Sequence, residues 1–260
     1  MPTSVIVTGA NGRMGTTIAE LTKADADLEL LAVIERPGFE QDLDRFGAEV
    51  FTDVKKALKN NSGAIVVDFT SPDASMELVQ NCDTFSCGAV LGTTGFSASQ
   101  VKELEKVAAS TSLFWAPNMS VGINTLLKIL PELTQLLGEK YDVEISETHH
   151  KHKKDAPSGT ALKLAEVLAE ARNMNMDEHG KFCRHGMIGE RKQDELGVQT
   201  LRGGDVVGDH TVFYFGPGER IEVTHRAHSR ETFAQGALRA AKWLSSQQPG
   251  RLYSMSDLLT

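Results

Sequence analysis

Ser4-Val5-Ile6-Val7-Thr8-Gly9-Ala10-Asn11-Gly12-Arg13-Met14-Gly15 is the stretch on which the fold turns. A short β-branched run, Val5–Thr8, stops at a glycine, and two more glycines follow at three-residue spacing before Thr16–Leu21, which reads as helix. Glycines at such a turn allow a tight bend and a close approach of backbone to a pyrophosphate. The helix that follows offers unpaired N–H groups and a partial positive charge. Ala10 stands where the stricter Gly-x-Gly-x-x-Gly fingerprint has a glycine, so the motif by itself is also compatible with an ordinary strand-to-helix turn. Its neighbours favour the dinucleotide reading. Apolar runs recur at Leu28–Ile34, Ala64–Phe69, Ala89–Leu91 and Leu113–Trp115, roughly every 25 residues, the length of a strand, a helix and two turns. That alternation implies a parallel sheet with helices on both faces. Ser97-Ala-Ser-Gln100 has capping-box spacing ahead of a helix at Val101–Ala109.

Further sites follow from that sheet. The second run ends at Glu35-Arg36. An acidic residue here can accept hydrogen bonds from a ribose, favouring NADH, and an adjacent arginine can hold the 2′-phosphate of NADPH. A solvated charge pair at a strand end is the plainer alternative. Gly92-Thr93-Thr94-Gly95 and Ala116-Pro117-Asn118-Met119 follow the fourth and fifth runs. Ligands of open parallel sheets bind beyond the carboxyl ends of strands, so both loops are expected to face the cofactor.

After residue 120 the rhythm changes. A helical pattern covers Ile123–Leu137, with Pro131 expected to kink or divide it. A strand at Val143–Ser146 leads into a histidine-rich loop, and a helix follows over Thr160–Arg172. Residues 173–197 read as loop. Antiparallel strands are expected at Val206-Val207, His210–Phe215 and Arg220–Thr224, and a last amphipathic helix at Glu231–Leu244. The organisation is an α/β nucleotide-type domain followed by an α+β domain.

Composition narrows the function. With 260 residues, 40% of them hydrophobic, the chain can bury a core in one large or two modest domains. A formal net charge of -8 argues against nucleic-acid and membrane-surface partners. Cys82, Cys87 and Cys183 are odd in number and form no Cys-x-x-Cys, which suits structural thiols in a reducing cytosol. No apolar stretch approaches the roughly 20 residues of a membrane span. The first residues run into a strand with no basic-then-apolar leader.

Against this acidic background stands Glu147-Thr-His149-His150-Lys151-His152-Lys153-Lys154-Asp155-Ala-Pro157-Ser158-Gly159-Thr160. Lysines and histidines facing a helix that opens on Ser158-Gly159-Thr160 make a pocket for a small di-acid. A histidine there can also give or take a proton. A solvated basic loop fits the composition equally. A metal site from His150 and His152 with Cys183 or His185 is disfavoured by the adjacent lysines, and no metal is expected. Nucleic-acid binding lacks aromatic interleaving.

The loop His149–Thr160 resembles the signature of the 4-hydroxy-tetrahydrodipicolinate (dihydrodipicolinate) reductases. So do Gly9–Gly15, Asp68-Phe-Thr70, Gly92–Phe96, Asn118–Gly122, Gly208-Asp-His-Thr211, Glu222–His225 and Ser229–Phe233. The similarity runs in order along nearly the whole chain. It implies that His149 donates or accepts a proton, with Lys153 as a second acid. It implies that His150, Ser158, Gly159 and Thr160 bind a dicarboxylate substrate. NADH or NADPH is expected along Gly9, Ala10, Asn11, Gly12, Arg13 and Met14, at Glu35 and Arg36, at Gly92, Thr93 and Thr94, and at Ala116, Pro117, Asn118 and Met119. Met119 stands where many relatives have phenylalanine. The implied fold is a Rossmann-type domain, 1–120, completed by 230–260, with a smaller mixed-sheet α+β domain, 121–229, for substrate and oligomerisation. The implied assembly is a cytoplasmic homotetramer. The implied reaction reduces a cyclic imine with loss of water in the diaminopimelate route to lysine. Another two-domain amino-acid dehydrogenase would share the first 120 residues but has no need of the basic loop. A non-catalytic redox sensor would need no proton donor.

Overall fold

The computed structural model describes residues 1–260. The chain begins with β1 (Thr3–Thr8), α1 (Arg13–Ala24), β2 (Leu28–Ile34), β3 (Glu49–Phe51), α2 (Val54–Asn60) and β4 (Ile65–Asp68). It continues with α3 (Pro72–Cys82), β5 (Gly88–Leu91), α4 (Ala98–Val107) and β6 (Leu113–Trp115). Next come α5 (Val121–Leu137), β7 (Asp142–His149), α6 (Gly159–Glu170), α7 (Met176–His179), β8 (Gly180–Lys181), β9 (Leu196–Arg202), β10 (Gly208–Gly216) and β11 (Glu219–Ala227). The last elements are α8 (Glu231–Leu244), β12 (Leu252–Tyr253) and α9 (Met255–Leu258). Two compact units result: Met1–Val121 with Arg230–Thr260, and Gly122–Ser229. No helix is long and apolar enough to cross a membrane.

In the first unit every strand pair is parallel and the order is β12-β6-β5-β4-β1-β2-β3. The continuous apolar runs are explained by burial on both faces. Val5, Val7, Val67 and Val90 pack with Ile18 of α1 and Ala237, Ala241 and Leu244 of α8. Ile6, Ala32, Val66 and Ala89 pack with Leu58, Leu78, Val79 and Leu104 of α2, α3 and α4. Strand order reverses between β1 and β4, which opens a crevice at the carboxyl ends of these two strands. β2 and β6 have the expected bounds. α4 begins three residues earlier than its apolar pattern, because the Ser97–Gln100 capping box is formed in both directions. β3 and β12 are too short to show a period and were not foreseen. Cys82 and Cys87 are buried, whereas Cys183 is exposed.

The second unit is a mixed sheet of order β11-β10-β7-β9-β8. β7 lies between β10, antiparallel, and β9, parallel. One face carries Val143, Ile145, Leu196, Val198, Val212 and Tyr214 against Leu164, Ala165 and Leu168 of α6 and Leu130 of α5. Three expectations need correction here. Pro131 neither divides nor ends α5, which runs unbroken over 17 residues, because its apolar stripe of Leu126, Leu127, Leu130 and Leu133 is held by the sheet core. Residues 173–197 are not all loop: Asn175 caps α7, and β8 pairs with β9. Arg184 and Arg191 then dock the polar segment on Glu144 and Asp142 of β7. Val206-Val207 is no strand. The β-type pattern there is taken by a turn in which Val206 O accepts from His150 N at 2.8 Å, while β9, upstream, joins the sheet in parallel.

Candidate active site

In the first unit, the crevice predicted by the strand order is a cavity of about 930 Å3. It is lined by the ends of β1 (Thr8, Gly9, Gly12), β2 (Glu35, Arg36) and β4 (Asp68, Thr70). Gly9 has φ +60, a left-handed conformation open to glycine. A Cβ on Gly12 would lie 3.0 Å from Gly9 O, and one on Gly15 only 2.1 Å from the same atom. The last glycine therefore lets α1 press against the turn, as the fingerprint requires. α1 starts at Arg13, within the motif, with Gly12 as its N-cap residue, so the turn and the helix N-terminus are one structure. Glu35 is fixed by two backbone donors, Asn11 N at 3.1 Å and Arg36 N at 3.0 Å. The Arg36 guanidinium stacks 3.8 Å over the Phe39 ring. Asn11 spends its side chain on structure: its Nδ2 donates to Phe39 O and Gln41 O, and its Oδ1 accepts from Arg45. Arg13 and Met14 lie in the first turn of α1, exposed and half-buried respectively.

The other expected cofactor residues sit at the same carboxyl edge but do not line this cavity. A Cβ at Gly92 would meet the Phe69 ring at 2.2 Å. Thr93 is buried and donates to Asp68 Oδ2 at 3.0 Å, while its carbonyl accepts from Trp115 Nε1 at 3.1 Å. Asp68, itself buried, also accepts from Thr8, Thr70 and Ser75. Thr94 and Pro117 are exposed and Asn118 half-buried. Ala10, Ala116 and Met119 are core side chains, so they have only backbone to offer a ligand. The open cradle over Gly9 and Gly12, the helix N-terminus and the Glu35-Arg36 pair fit a dinucleotide.

The second constellation grows out of β7. Alternate residues of this strand face the helices: Val143, Ile145, then Glu147 and His149. Strand register sets Glu147 beside Thr200 of β9 and His210 of β10, and His149 beside Arg202. One end of the helix-covered face thus changes from apolar to charged. The Glu147 side chain is fully buried. It accepts from His149 Nδ1 at 2.6 Å, Arg202 Nη1 at 2.8 Å and Nη2 at 2.9 Å, Ser158 N at 3.0 Å and Thr200 Oγ1 at 3.2 Å. Burial pushes its carboxyl pKa up. The hydrogen bonds from Arg202, His149 and Ser158 outweigh that and bring it down to about 2, so it is ionised at any working pH. His210 is buried, with its ring edge-on to His149 at 5.2 Å and its Nε2 3.2 Å from Ser158 Oγ. Burial, and after it the charge of His149, lowers its pKa to about 4. A Cβ at Gly208 would lie 2.9 Å from His149 Nε2; glycine here makes room for the imidazole.

The Glu147 carboxylate ties His149 and Ser158 together at the start of α6, and Lys153 lies near enough for its charge to bear on His210. Lys153 Nζ is 2.9 Å from Asp155, and its backbone N donates to His150 O, closing the loop turn. His150 is half-buried, Gly159 exposed and Thr160 half-buried. Ser158 has a different place from the one expected. It is buried, and its hydroxyl caps α6 by accepting from Ala161 N, which leaves the exposed first turn to meet an anion. Glu147, Arg202 and His210 were given no role from the sequence. The available signal was a charged residue in an apolar slot: Val143-x-Ile145-x-Glu147 keeps the two-residue period of the buried face. No three His, Cys, Asp or Glu side chains converge as a metal site needs.

Two family models match, the N-terminus of dihydrodipicolinate reductase over residues 3–119 and its C-terminus over residues 122–259. A 4-hydroxy-tetrahydrodipicolinate reductase of Oleidesulfovibrio alaskensis is 56% identical over 259 residues, covering 100% of both chains. One of Lawsonia intracellularis is 46% identical over 259 residues, again covering 100% of both. Among solved structures, a dipicolinate-bound dihydrodipicolinate reductase from Paenisporosarcina sp. TG-14 superposes with a TM-score of 0.76 at 24% identity, covering 98% of each chain.

Proposed function

The chain belongs to the dihydrodipicolinate reductase family, and from that premise we propose that it reduces 4-hydroxy-tetrahydrodipicolinate to tetrahydrodipicolinate. The first unit is the dinucleotide-binding domain and the second the substrate and oligomerisation domain. NADH or NADPH, when bound, supplies the hydride that adds at C4 of the substrate ring after its 4-hydroxyl has left as water. Gly9–Met14, Glu35 and Arg36 hold the dinucleotide, with Gly92–Thr94 and Ala116–Met119 contributing mainly backbone. His150, Gly159, Thr160 and the α6 N-terminus hold the carboxylates, with Ser158 shaping that turn. His149, or Lys153, protonates the ring carbon next to C4: the N–H bond breaks, the enamine pair forms the C–H bond, and the C=N bond is restored. The protein works in the cytoplasm as a homotetramer; Leu201 and Phe215, exposed on the second unit's sheet, support such an assembly.

The single observation that carries this reading is the imidazole of His149, held by a buried carboxylate beside a basic loop and an open helix N-terminus. Steady-state kinetics of His149→Gln, beside an NADH fluorescence titration, test it. Turnover is expected to fall about 10²–10⁴-fold with nicotinamide affinity kept. Wild-type turnover in the variant refutes the proton-donor role, and a wild-type protein that binds NADH but never oxidises it with this substrate favours a sensor.

A further inference from the structure

Glu147 is a carboxylate with no exposed surface on the strand that carries His149. Both of its oxygens are used. Oε2 takes His149 Nδ1 and Arg202 Nη1, and Oε1 takes Arg202 Nη2, Ser158 N and Thr200 Oγ1. We propose that Glu147 is the positioning residue of the proton-transfer step. It dictates which nitrogen of His149 carries the transferable proton, and it holds that ring in register with the first turn of α6. The proposal rests on the assignment of His149 as proton donor.

The chemistry follows from the acceptor. An ionised carboxylate has no proton to give, so the 2.6 Å contact requires a hydrogen on His149 Nδ1. Arg202 keeps the carboxylate ionised by a two-pronged pairing. The nitrogen that gains and loses a proton is therefore Nε2, the one lying over Gly208. When Nε2 gives its proton to the substrate carbon, the Nε2–H bond breaks and its electron pair stays on nitrogen. The Nδ1–H stays on the ring and goes on donating to Glu147, so the ring returns to one defined neutral tautomer. A glutamine at 147 offers an amide N–H to Nδ1 instead. The neutral ring would then keep its hydrogen on Nε2 and lose the carboxylate that stabilises the imidazolium. The same carboxylate accepts from Ser158 N, so the acid and the carboxylate-binding turn are tied to one atom pair. His210, edge-on to His149 and bonded to Ser158 Oγ, packs this arrangement from β10.

A purely structural counter-ion for Arg202 would show the same contacts, and a double-mutant cycle separates the two roles. Glu147→Gln is made in the wild-type and in the His149→Gln background, and kcat is measured for both. Acting through His149, it lowers kcat about 10- to 100-fold in the wild type and no more than about twofold where the imidazole is already gone. Equal losses in both backgrounds overturn the proposal. If His149→Gln is itself as fast as wild type, the proton-donor assignment falls first and this proposal with it. Nitrogen-15 spectra of histidine-labelled protein give an independent reading. A protonated Nδ1 in neutral wild-type His149, moving to Nε2 in Glu147→Gln, supports the role; an unprotonated Nδ1 in the wild type overturns it. Should Glu147→Gln fail to fold, Glu147→Asp keeps the charge for Arg202 while shortening the reach to His149. The same background-dependent loss is expected of it, and equal losses again overturn the proposal.

Discussion

Replacing Gly208 with alanine puts a methyl group where the His149 ring now lies. The new Cβ would stand 2.9 Å from Nε2, 3.3 Å from Cδ2 and 3.7 Å from Cε1, against an ordinary contact that begins at 3.4 Å. The ring must yield by about half an ångström at the nitrogen assigned to proton transfer. It cannot translate freely, because Nδ1 is held at 2.6 Å by Glu147, so it tilts about that bond and Nε2 swings away. A misplacement of about 1 Å costs about 10²-fold in rate; half of that displacement corresponds to about a tenfold loss in kcat. Gly208 is not in a left-handed conformation, and alanine is no worse than glycine in a strand, so the fold should survive with a melting temperature within a few degrees of wild type. NADH binding should not change, because Gly208 belongs to the second unit. The assay is NADH oxidation with substrate made from pyruvate and aspartate semialdehyde, beside an NADH titration. A Gly208→Ala enzyme with kcat within twofold of wild type refutes the reasoning, since the ring would then have moved without consequence.

Arg36→Ala should weaken NADPH about 10- to 100-fold and NADH little, because only NADPH carries the phosphate that the guanidinium over Phe39 would hold; equal weakening in paired titrations counts against the assignment. Gly12→Val should abolish NADH binding, since even the first added carbon sits 3.0 Å from Gly9 O and the rest fills the cradle; an unchanged fluorescence titration places the pyrophosphate elsewhere. Lys153→Ala removes a cation beside the helix that meets the di-acid, so the Michaelis constant for substrate should rise while that for NADH holds. His210, buried with its pKa near 4, stays neutral in the folded protein while the unfolded chain takes up a proton below about 6.5. Its contribution to stability is therefore complete above pH 6.5 and is lost as pH falls toward 4, at about 1.4 kcal/mol per pH unit. Denaturant melts at pH 6 and pH 5 should show a loss approaching that slope in wild type and a smaller one in His210→Asn; the same loss in both rejects it.

The first unit was legible because its strands are buried on both faces and announce themselves as unbroken β-branched runs between helical patterns. The three residues of Glu49–Phe51 and the two of Leu252–Tyr253 carry no such signal. Their place is set by neighbours already in the sheet. In the second unit, Val206-Val207 has the composition of a strand, but flanking glycines at 203, 204 and 208 turn the chain there, and tertiary pairing rather than propensity decides. The candidate site divides in the same way. His149 and Lys153 stand out by charge in an acidic protein. Glu147 meets Arg202 and His210 only because register across three strands brings it to residues more than 50 positions further along the chain, and that convergence is not encoded by any local pattern.

The first unit is finished only by residues that arrive late. Ala237, Ala241 and Leu244 of α8 complete the core against Val5, Val7 and Ile18, and β12 closes one edge of the sheet. During synthesis, roughly a hundred residues are made between the end of β6 and the start of α8, about 5–20 s at ribosomal speed. Through that interval the nascent first unit has an apolar face covered only in part, and by its end the segment Gly122–Ser229 has all its own strands. The domain that starts first therefore closes last. Chaperone demand should fall on the amino-terminal half, and a ribosome stalled before residue 231 should release a chain whose second unit resists protease and whose first does not.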